Sequence, residues 1–255
     1  MKWSDWSSSR GLRWYRFFAI SIIPQWLFLQ WIRRSPDFVD QFYKEGIFAW
    51  LSQLSIRLTA WIPFSVGDVF YAIGLYFVLK HLFYFKRLNL RTTLIKILGW
   101  FGILFFVFHL QWGFNYHQTP LSVQNNVQSS YTSEELDVFT QHLIQQTNQL
   151  HEKLAQNDSI VVKINYSNKQ IFGVATQAIQ KQHRYPTPNI KKSSFGLLLS
   201  YMGYGGYLNP FTLEAQVNTR QPKLRVLTTA AHEIAHQLGY AAEEEANFIA
   251  IDAAI

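Results

Sequence analysis

The sequence predicts an α+β protein in which N-terminal transmembrane helices precede a polar domain. Long apolar stretches fill the first 116 residues. The second half carries helix-like and strand-like patterns of apolar residues in turn. Charged residues make up only 15% of the chain, whereas an average soluble protein has roughly 25%. Part of the chain is therefore expected to avoid water.

We expect residues 1–116 to form a membrane anchor with three spans, which lie near residues 14–32, 64–85 and 97–114. The third stretch follows Lys96 and has no formal charge as far as Phe114. The first is shorter than the roughly 20 residues that cross a bilayer comfortably, but its tryptophans suit the membrane interface. The second is interrupted by Asp68 and Lys80. Buried core helices are the alternative, yet three such stretches are more than a soluble domain needs.

Basic residues set the expected orientation, because they favour the cytoplasmic side of a membrane. Four precede the first span and four lie between the second and the third: Lys2, Arg10, Arg13 and Arg16, then Lys86, Arg87, Arg91 and Lys96. Four others lie in the loop between the first two spans and weigh against this orientation: Arg33, Arg34, Lys44 and Arg57. The loop itself, residues 35–62, has an amphipathic pattern that suits a membrane surface. We expect everything after about residue 115 to face away from the cytoplasm, which in a Gram-negative cell means the periplasm, with the anchor in the inner membrane.

The net charge of +7 does not indicate nucleic-acid binding. The basic residues follow the predicted spans instead of clustering on one face, so no nucleic-acid partner is expected. The chain has no cysteine, which excludes disulfide bonds and thiolate metal ligands.

The composition becomes polar after Tyr116. Residues 117–130 are expected to be a linker, and residues 131–255 an extracytoplasmic domain. Thr132 and Glu135 have the spacing of a capping box, so a helix is expected to begin there.

The remaining elements follow from their apolar patterns. A helix over residues 172–182 is expected to end near Pro186, since proline does not continue a helix. Three strands are expected, over residues 160–166, 195–202 and 211–218.

The stretch TTAAHEIAH contains the pattern H-E-x-x-H. On a helix, His232 and His236 lie on one face and can both reach a single Zn²⁺ ion. Glu233 is rotated by about 100° and can reach a water on the metal instead. Its carboxylate would take a proton from that water and pass it to a leaving amine, which is the role of a catalytic general base. A single histidine in such a helix would usually be an ordinary core residue with a hydrogen-bond partner. Two histidines flanking a glutamate among small, apolar residues need a partner for their polar groups, and a metal ion supplies one.

Glu243 is the predicted third metal ligand, with Glu245 as the alternative and Glu244 as a further rival. Gly239 can end the helix and let the chain turn back. Glu243 is the first acid after that turn, and Asn247 lies one turn further on the same face, where its amide can hold a ligand histidine. A solvated helix start is the alternative explanation for the acidic run.

The segment FTLEAQVN, residues 211–218, is expected to border the substrate cleft, because an extended peptide can pair with an edge strand. Glu214 and Asn218 would then face the same side and contact substrate. An ordinary core strand is an equally good interpretation.

The stretch HEIAHQLGY followed by EEEANFIA resembles the gluzincin-type zinc metallopeptidases. The whole chain resembles, more closely, an uncharacterised family of bacterial membrane-anchored proteins with metallopeptidase features. The shared stretches are IPFSVGD, WGFNYHQTPL and GYLNPFTLEAQVN. The resemblance implies a gluzincin-like domain with a zinc cofactor and a supporting residue at Asn247. It also implies a domain that continues past the EANF helix, so this chain is expected to be a shortened form.

These patterns predict a membrane-anchored zinc metallopeptidase, with the lipid bilayer and a peptide or protein substrate as its partners. A non-catalytic membrane scaffold or binding protein with a relic zinc site is the alternative. An intramembrane protease is disfavoured, because the polar stretches NTRQPKLR and EEE flank the motif. The oligomeric state is left open.

Overall fold

The computed structural model describes residues 9–83, 89–127, 130–155, 157, 159–182 and 187–253. Over these residues the chain is mostly helical with one small sheet, which confirms the α+β expectation. The α-helices are α1 (Ser9–Ile32), α2 (Pro36–Phe38), α3 (Ala49–Thr59), α4 (Val66–Phe83), α5 (Leu90–Gln111), α6 (Leu121–Gln124), α7 (Ser133–Ala155), α8 (Asn168–Gln182), α9 (Gly196–Met202), α10 (Lys223–Gln237) and α11 (Glu243–Asp252). A π-helical segment, Val39–Phe48, joins α2 to α3, and a 3₁₀ turn, Gly113–His117, follows α5. Lys2, Lys86, Arg87 and Pro186 lie outside the described residues.

The sheet has three short strands, β1 (Ile190–Lys192), β2 (Gly206–Leu208) and β3 (Ala215–Val217), in the order β1-β3-β2. β3 runs parallel to β1 and antiparallel to β2. The central strand is therefore the last one in sequence, and β2 is an edge strand of the described sheet.

Two of the three predicted strands are wrong. Residues 195–202 contain helix α9, which buries Gly196 and Leu199 three residues apart and ends at Gly203 with a φ of +80°. A short apolar run cannot be assigned to strand or helix by periodicity alone, which explains the error. Residues 160–166 form no strand and remain largely exposed, without a pairing partner among the described residues.

The main hydrophobic core lies around α10. Buried side chains of α8 and α11 pack on it, including Ile179 and Ile249, while α10 contributes Ile234 and several alanines. The alanines let neighbouring helices approach closely. Burial of one such isoleucine side chain stabilises the fold by about 1.5–3 kcal/mol. This core holds α10, and with it the H-E-x-x-H motif, in a fixed orientation.

Within the described residues, α5 is the one helix that is long and apolar enough to cross a membrane. Only 17% of its most apolar stretch is buried, so it differs from the core helix of a soluble domain. The other two predicted spans do not meet the same standard there. α1 contains Pro24 and Gln25, which make it less apolar than α5, whereas α4 carries Asp68 and Lys80 among otherwise apolar residues.

α1 and α5 pack side by side and run in the same direction. Tyr15, early in α1, lies near Trp100, with ring centroids 6.2 Å apart, whereas Phe28, late in α1, meets Phe114 at 5.8 Å. The backbones approach closely at Gly99, where a Cβ would lie 2.7 Å from the carbonyl oxygen of Tyr15. Small residues permit this kind of packing between membrane helices. The N-termini of α1 and α5 therefore lie at the same end.

The start of α4 docks on the sheet. The backbone amide of Gly67 donates to the carboxylate of Glu214 at 2.6 Å, and the same carboxylate pairs with Lys191 Nζ at 2.5 Å. Asp68 accepts a hydrogen bond from the hydroxyl of Tyr207 in β2. The Glu214 carboxylate thus accepts hydrogen bonds from free backbone amides at the N-terminus of α4. Its negative charge also interacts favourably with the positive end of the helix dipole.

Residues 118–121, at the start of the linker predicted over residues 117–130, pack on the polar domain, whereas its described residues from 122 onward are exposed. Gln118 Nε2 donates to the carbonyl oxygen of Gly239 at 2.6 Å, and the amide of Leu121 donates to Glu245 at 2.7 Å. The end of α5 is therefore joined to the polar domain by direct contacts rather than by a free tether.

Candidate metal centre

Helix α10 presents both histidines of the motif on one face. His232 and His236 are one turn apart, and their ring centroids are 4.6 Å apart with the planes nearly perpendicular. Their side chains are mostly buried, with 17% and 7% exposed. The helix periodicity thus places the two imidazoles together, as the i, i+4 spacing predicts.

A Schellman turn ends α10 and sends the chain back toward the histidines. The amide of Tyr240 donates to the carbonyl of Ala235 at 3.1 Å, and the amide of Gly239 donates to that of His236 at 2.9 Å. Gly239 has a φ of +94°, in the left-handed region where glycine carries no steric penalty. The reversal places Glu243, the first residue of α11, opposite the two rings.

The carboxylate of Glu243 lies between the two imidazoles. Its Oε2 is 3.2 Å from Nε2 of His232 and its Oε1 is 3.5 Å from Nε2 of His236. The ligand atoms of the three residues all lie within 4.8 Å of one another. In a tetrahedral zinc site, atoms bonded at about 2.0–2.1 Å are roughly 3.4 Å apart. The two distances from Glu243 to the histidines are close to this value.

The outer nitrogen of each histidine is held by an oxygen. His232 Nδ1 lies 2.9 Å from Oδ1 of Asn247, and His236 Nδ1 lies 2.7 Å from the carbonyl oxygen of Tyr240. Both oxygens are acceptors, so each Nδ1 carries a proton and each Nε2 is the nitrogen that faces Glu243. Metal-binding histidines are typically oriented in this way.

Glu233 is buried beside His232, and its Oε2 atom has no hydrogen-bond partner. Burial raises the pKa of this carboxyl group well above its usual value, and the nearby charge of Glu243 raises it further. A buried polar atom without a partner is rare and calls for an explanation, such as a catalytic role or an ion. Glu233 directly follows His232 in α10, so its carboxyl group lies next to the candidate site. A bound cation would also favour the charged carboxylate.

The two rival glutamates point elsewhere. Glu245 is 8% exposed, and its carboxylate accepts a hydrogen bond from the amide of Leu121 at 2.7 Å. Glu244 is exposed and does not belong to the cluster of His232, His236 and Glu243.

The prediction that residues 211–218 border a cleft as an edge strand is wrong. β3 lies between β1 and β2, so both of its edges are already paired. Glu214 is fully buried against Lys191, and Asn218 is buried with its Nδ2 donating to Ser200 Oγ at 2.9 Å. The polar residues of this strand form buried hydrogen bonds and a buried ion pair. An alternating sequence pattern cannot distinguish such buried polar residues from solvent-exposed ones.

Two aromatic residues near the cluster were not among the predicted site residues. Trp112 Nε1 donates to the carbonyl oxygen of His236 at 3.3 Å, and the two ring centroids are 6.1 Å apart. Tyr116 stacks edge-on against Trp112 at 5.0 Å. Burial raises the pKa of Tyr116, and the charge of Glu243 raises it further, which places the phenol close to the cluster. Both residues belong to the WGFNYHQTPL stretch. His236 follows Trp112 by 124 residues, so no local sequence pattern could predict that the two are in contact.

Residues 43–255 match the family described as "Protein of unknown function (DUF3810)". The match spans more than half of the chain, so the chain belongs to this family. It begins in the π-helical segment and includes α3, α4 and α5 as well as the polar domain. No curated protein and no solved structure matches the chain.

Proposed function

We propose that this member of the DUF3810 family is a membrane-anchored, zinc-dependent peptidase. His232, His236 and Glu243 hold the metal, and Glu233 is the general base. The observation that carries the proposal is the combination of three ligand atoms at zinc-like spacing with a buried, unpartnered carboxyl oxygen beside them.

The metal, when bound, supplies a Lewis acid that makes a water ligand acidic near neutral pH and polarises a substrate carbonyl. Oε2 of Glu233 accepts one proton from the attacking water. The water oxygen bonds to the peptide carbon, the carbon–nitrogen bond breaks, and Glu233 delivers the proton to the leaving nitrogen. The Glu243 side chain is 76% exposed, so the cluster is accessible to substrate.

The edge of β2 is the best candidate for substrate binding. The backbone amide of Asn218 donates to the carbonyl oxygen of Gly205, and the backbone amide of Asn209 donates to the carbonyl oxygen of Glu214. In an antiparallel pair these bonds alternate, so the peptide groups of Gly206 and Leu208 point away from β3. Gly206 also lies against Glu233. An extended peptide paired with this edge would run beside the general base.

Three spans, formed by α1, α4 and α5, make up the proposed anchor. α1 and α5 are parallel, and basic residues lie at the N-terminal end of each, including Arg13, Arg16, Arg91 and Lys96. α4 connects them in the opposite direction and exposes large apolar side chains along its length. By the positive-inside rule the polar domain then faces the periplasm, with the anchor in the bacterial inner membrane.

The test uses the full chain, purified in detergent and loaded with zinc. Metal content by mass spectrometry should be about one zinc per chain and should be lost in the His232→Ala, His236→Ala double variant. The zinc-loaded protein should hydrolyse peptides from a mixed library.

Glu233→Gln is the matched variant, because it keeps the shape and the metal ligands but cannot accept the proton. It should retain zinc and lose hydrolysis. Bound zinc without hydrolysis in the parent protein would support the non-catalytic alternative instead.

A further inference from the structure

The candidate metal centre lies directly at the end of α5. Trp112 is the first residue after this helix, and its indole donates to the backbone of the ligand residue His236 at 3.3 Å. The two rings are also in edge-to-face contact. No loop or domain separates the metal ligand from the helix end.

The length of α5 sets the height of the centre above the membrane. Its 22 residues span about 33 Å at 1.5 Å per residue, close to the roughly 30 Å of a bilayer's hydrocarbon core. Trp112 then lies at the membrane interface, where tryptophan is favoured. His236, one hydrogen bond away, lies at the level of the lipid head groups.

A second set of contacts joins the polar domain to the proposed anchor, at the start of α4. The edge strand β2 is joined to the start of α4 through Tyr207 and Asp68. The rings of Tyr71 and Tyr207 are 6.0 Å apart, and those of Phe70 and Phe211 are 5.2 Å apart. The substrate edge and the metal ligands are therefore each attached to the membrane end of a different span.

The segment between α1 and α4 is the third part of the chain that joins the site to the membrane surface. Its outward side carries a stripe of exposed apolar side chains: Phe42, Trp50, Leu54, Leu58 and Trp61. Its inward side supports the site, since Phe48 lies beneath Gly239 and Lys44 Nζ is 4.5 Å from the ring centroid of Tyr240. A helical segment with one exposed apolar side and one side packed on protein lies flat in the membrane interface. It holds the site at the membrane surface and opposes tilting away from it.

We propose that the substrates are polypeptides tethered to the same membrane, cut within a few residues of their anchor. This proposal rests on the proposed peptidase function. An extended chain rises 3.3–3.6 Å per residue, so a centre at head-group level meets the first roughly 10 residues after an anchor. The bulk of a folded soluble protein is blocked by the bilayer on one side of the site.

The experiment places the zinc-loaded full chain in lipid nanodiscs with a tethered peptide pool. Each peptide has one transmembrane helix followed by a segment of about 40 random residues, long enough to reach far beyond the membrane surface. Cut positions are mapped by mass spectrometry. The same random segments without an anchor are the comparison, and Glu233→Gln protein is the control.

Cuts in the first roughly 10 residues should form at least about tenfold faster than cuts beyond residue 20 or so, although the tether raises the local concentration of the whole segment. Cuts spread evenly along the segment, or equal cutting of the untethered pool, would overturn the tethered-substrate proposal alone. An absence of cuts in both pools would overturn the peptidase function and this proposal with it.

Discussion

Oδ1 of Asn247 lies 2.9 Å from Nδ1 of His232, across the gap between α11 and α10. The contact joins a residue one turn into α11 to the first histidine of the motif. It fixes which nitrogen of the imidazole carries the proton, and so directs Nε2 at Glu243.

Replacement of Asn247 by alanine should therefore weaken zinc binding without removing a ligand. We expect a loss of about 10–100-fold in zinc affinity, measured by competition with a fluorescent chelator. Asn247→Asp keeps an acceptor at this position and should bind zinc as tightly as the parent. Equal affinity of the alanine variant and the parent would show that the contact does not orient the histidine.

The three consecutive glutamates should respond differently to substitution. Glu243→Ala removes a proposed ligand and should lower zinc affinity sharply, while Glu244→Ala should leave both affinity and thermal stability unchanged. Glu245→Ala leaves the Leu121 amide without its acceptor, and should cost about 1–3 kcal/mol of stability with little effect on zinc. Isothermal titration and thermal unfolding separate the three. Zinc loss in Glu245→Ala together with unchanged affinity in Glu243→Ala would reverse the ligand assignment.

Gly206 should tolerate no larger residue. A Cβ there would lie 2.6 Å from the backbone oxygen of Gln216 and 2.8 Å from Oε1 of Glu233. Gly206→Ala should destabilise the fold by about 1–3 kcal/mol through overpacking, and should reduce hydrolysis by displacing the general base. Gly173, in α8, has nothing within 4 Å of its Cβ position, so Gly173→Ala is the control and should stabilise by about 0.5–1 kcal/mol. A wild-type melting temperature for Gly206→Ala would mean that β2 is free to move.

Glu214 should matter for stability rather than for substrate. Its carboxylate is fully buried, pairs with Lys191 and caps α4. Glu214→Ala should destabilise the protein by about 3–5 kcal/mol, because it leaves a buried ammonium group without its partner. The double variant Glu214→Ala, Lys191→Met should recover part of that loss in a thermal-unfolding assay. Full stability of the single variant would contradict the proposed docking of α4.

The absence of cysteine in the chain makes its topology directly testable. A cysteine at Tyr131, which is 70% exposed, should react with a membrane-impermeant maleimide in intact spheroplasts. A cysteine at Arg91, at the N-terminal end of α5, should react only after the membrane is permeabilised. Labelling in the reverse order would place the polar domain in the cytoplasm.

The parts of the site that follow from local geometry could be predicted from sequence. Helical spacing brings His232 to His236, and a glycine turn followed by a new helix brings Glu243 and Asn247 back within a few residues. The sheet could not be predicted in the same way, because its order depends on pairings between distant segments. The strand at residues 211–218 carries Glu214, Gln216 and Asn218 on one face, and that face is buried, with α4 and Lys191 as partners for Glu214 and Ser200 as a partner for Asn218, so its alternating pattern resembles that of a half-exposed strand.

The contact of Trp112 with His236 has a consequence for how the protein is made. At 5–20 residues per second, synthesis from the end of α5 to the second ligand histidine takes roughly 6–25 s. On the proposed topology α5 is already in the membrane by then, and the three proposed metal ligands emerge one after another on the far side. The surface on which they assemble is therefore present before they arrive. On the proposed function, zinc would be drawn from the periplasm rather than the cytoplasm, and hydrolytic activity would not exist in the compartment where the chain is synthesised.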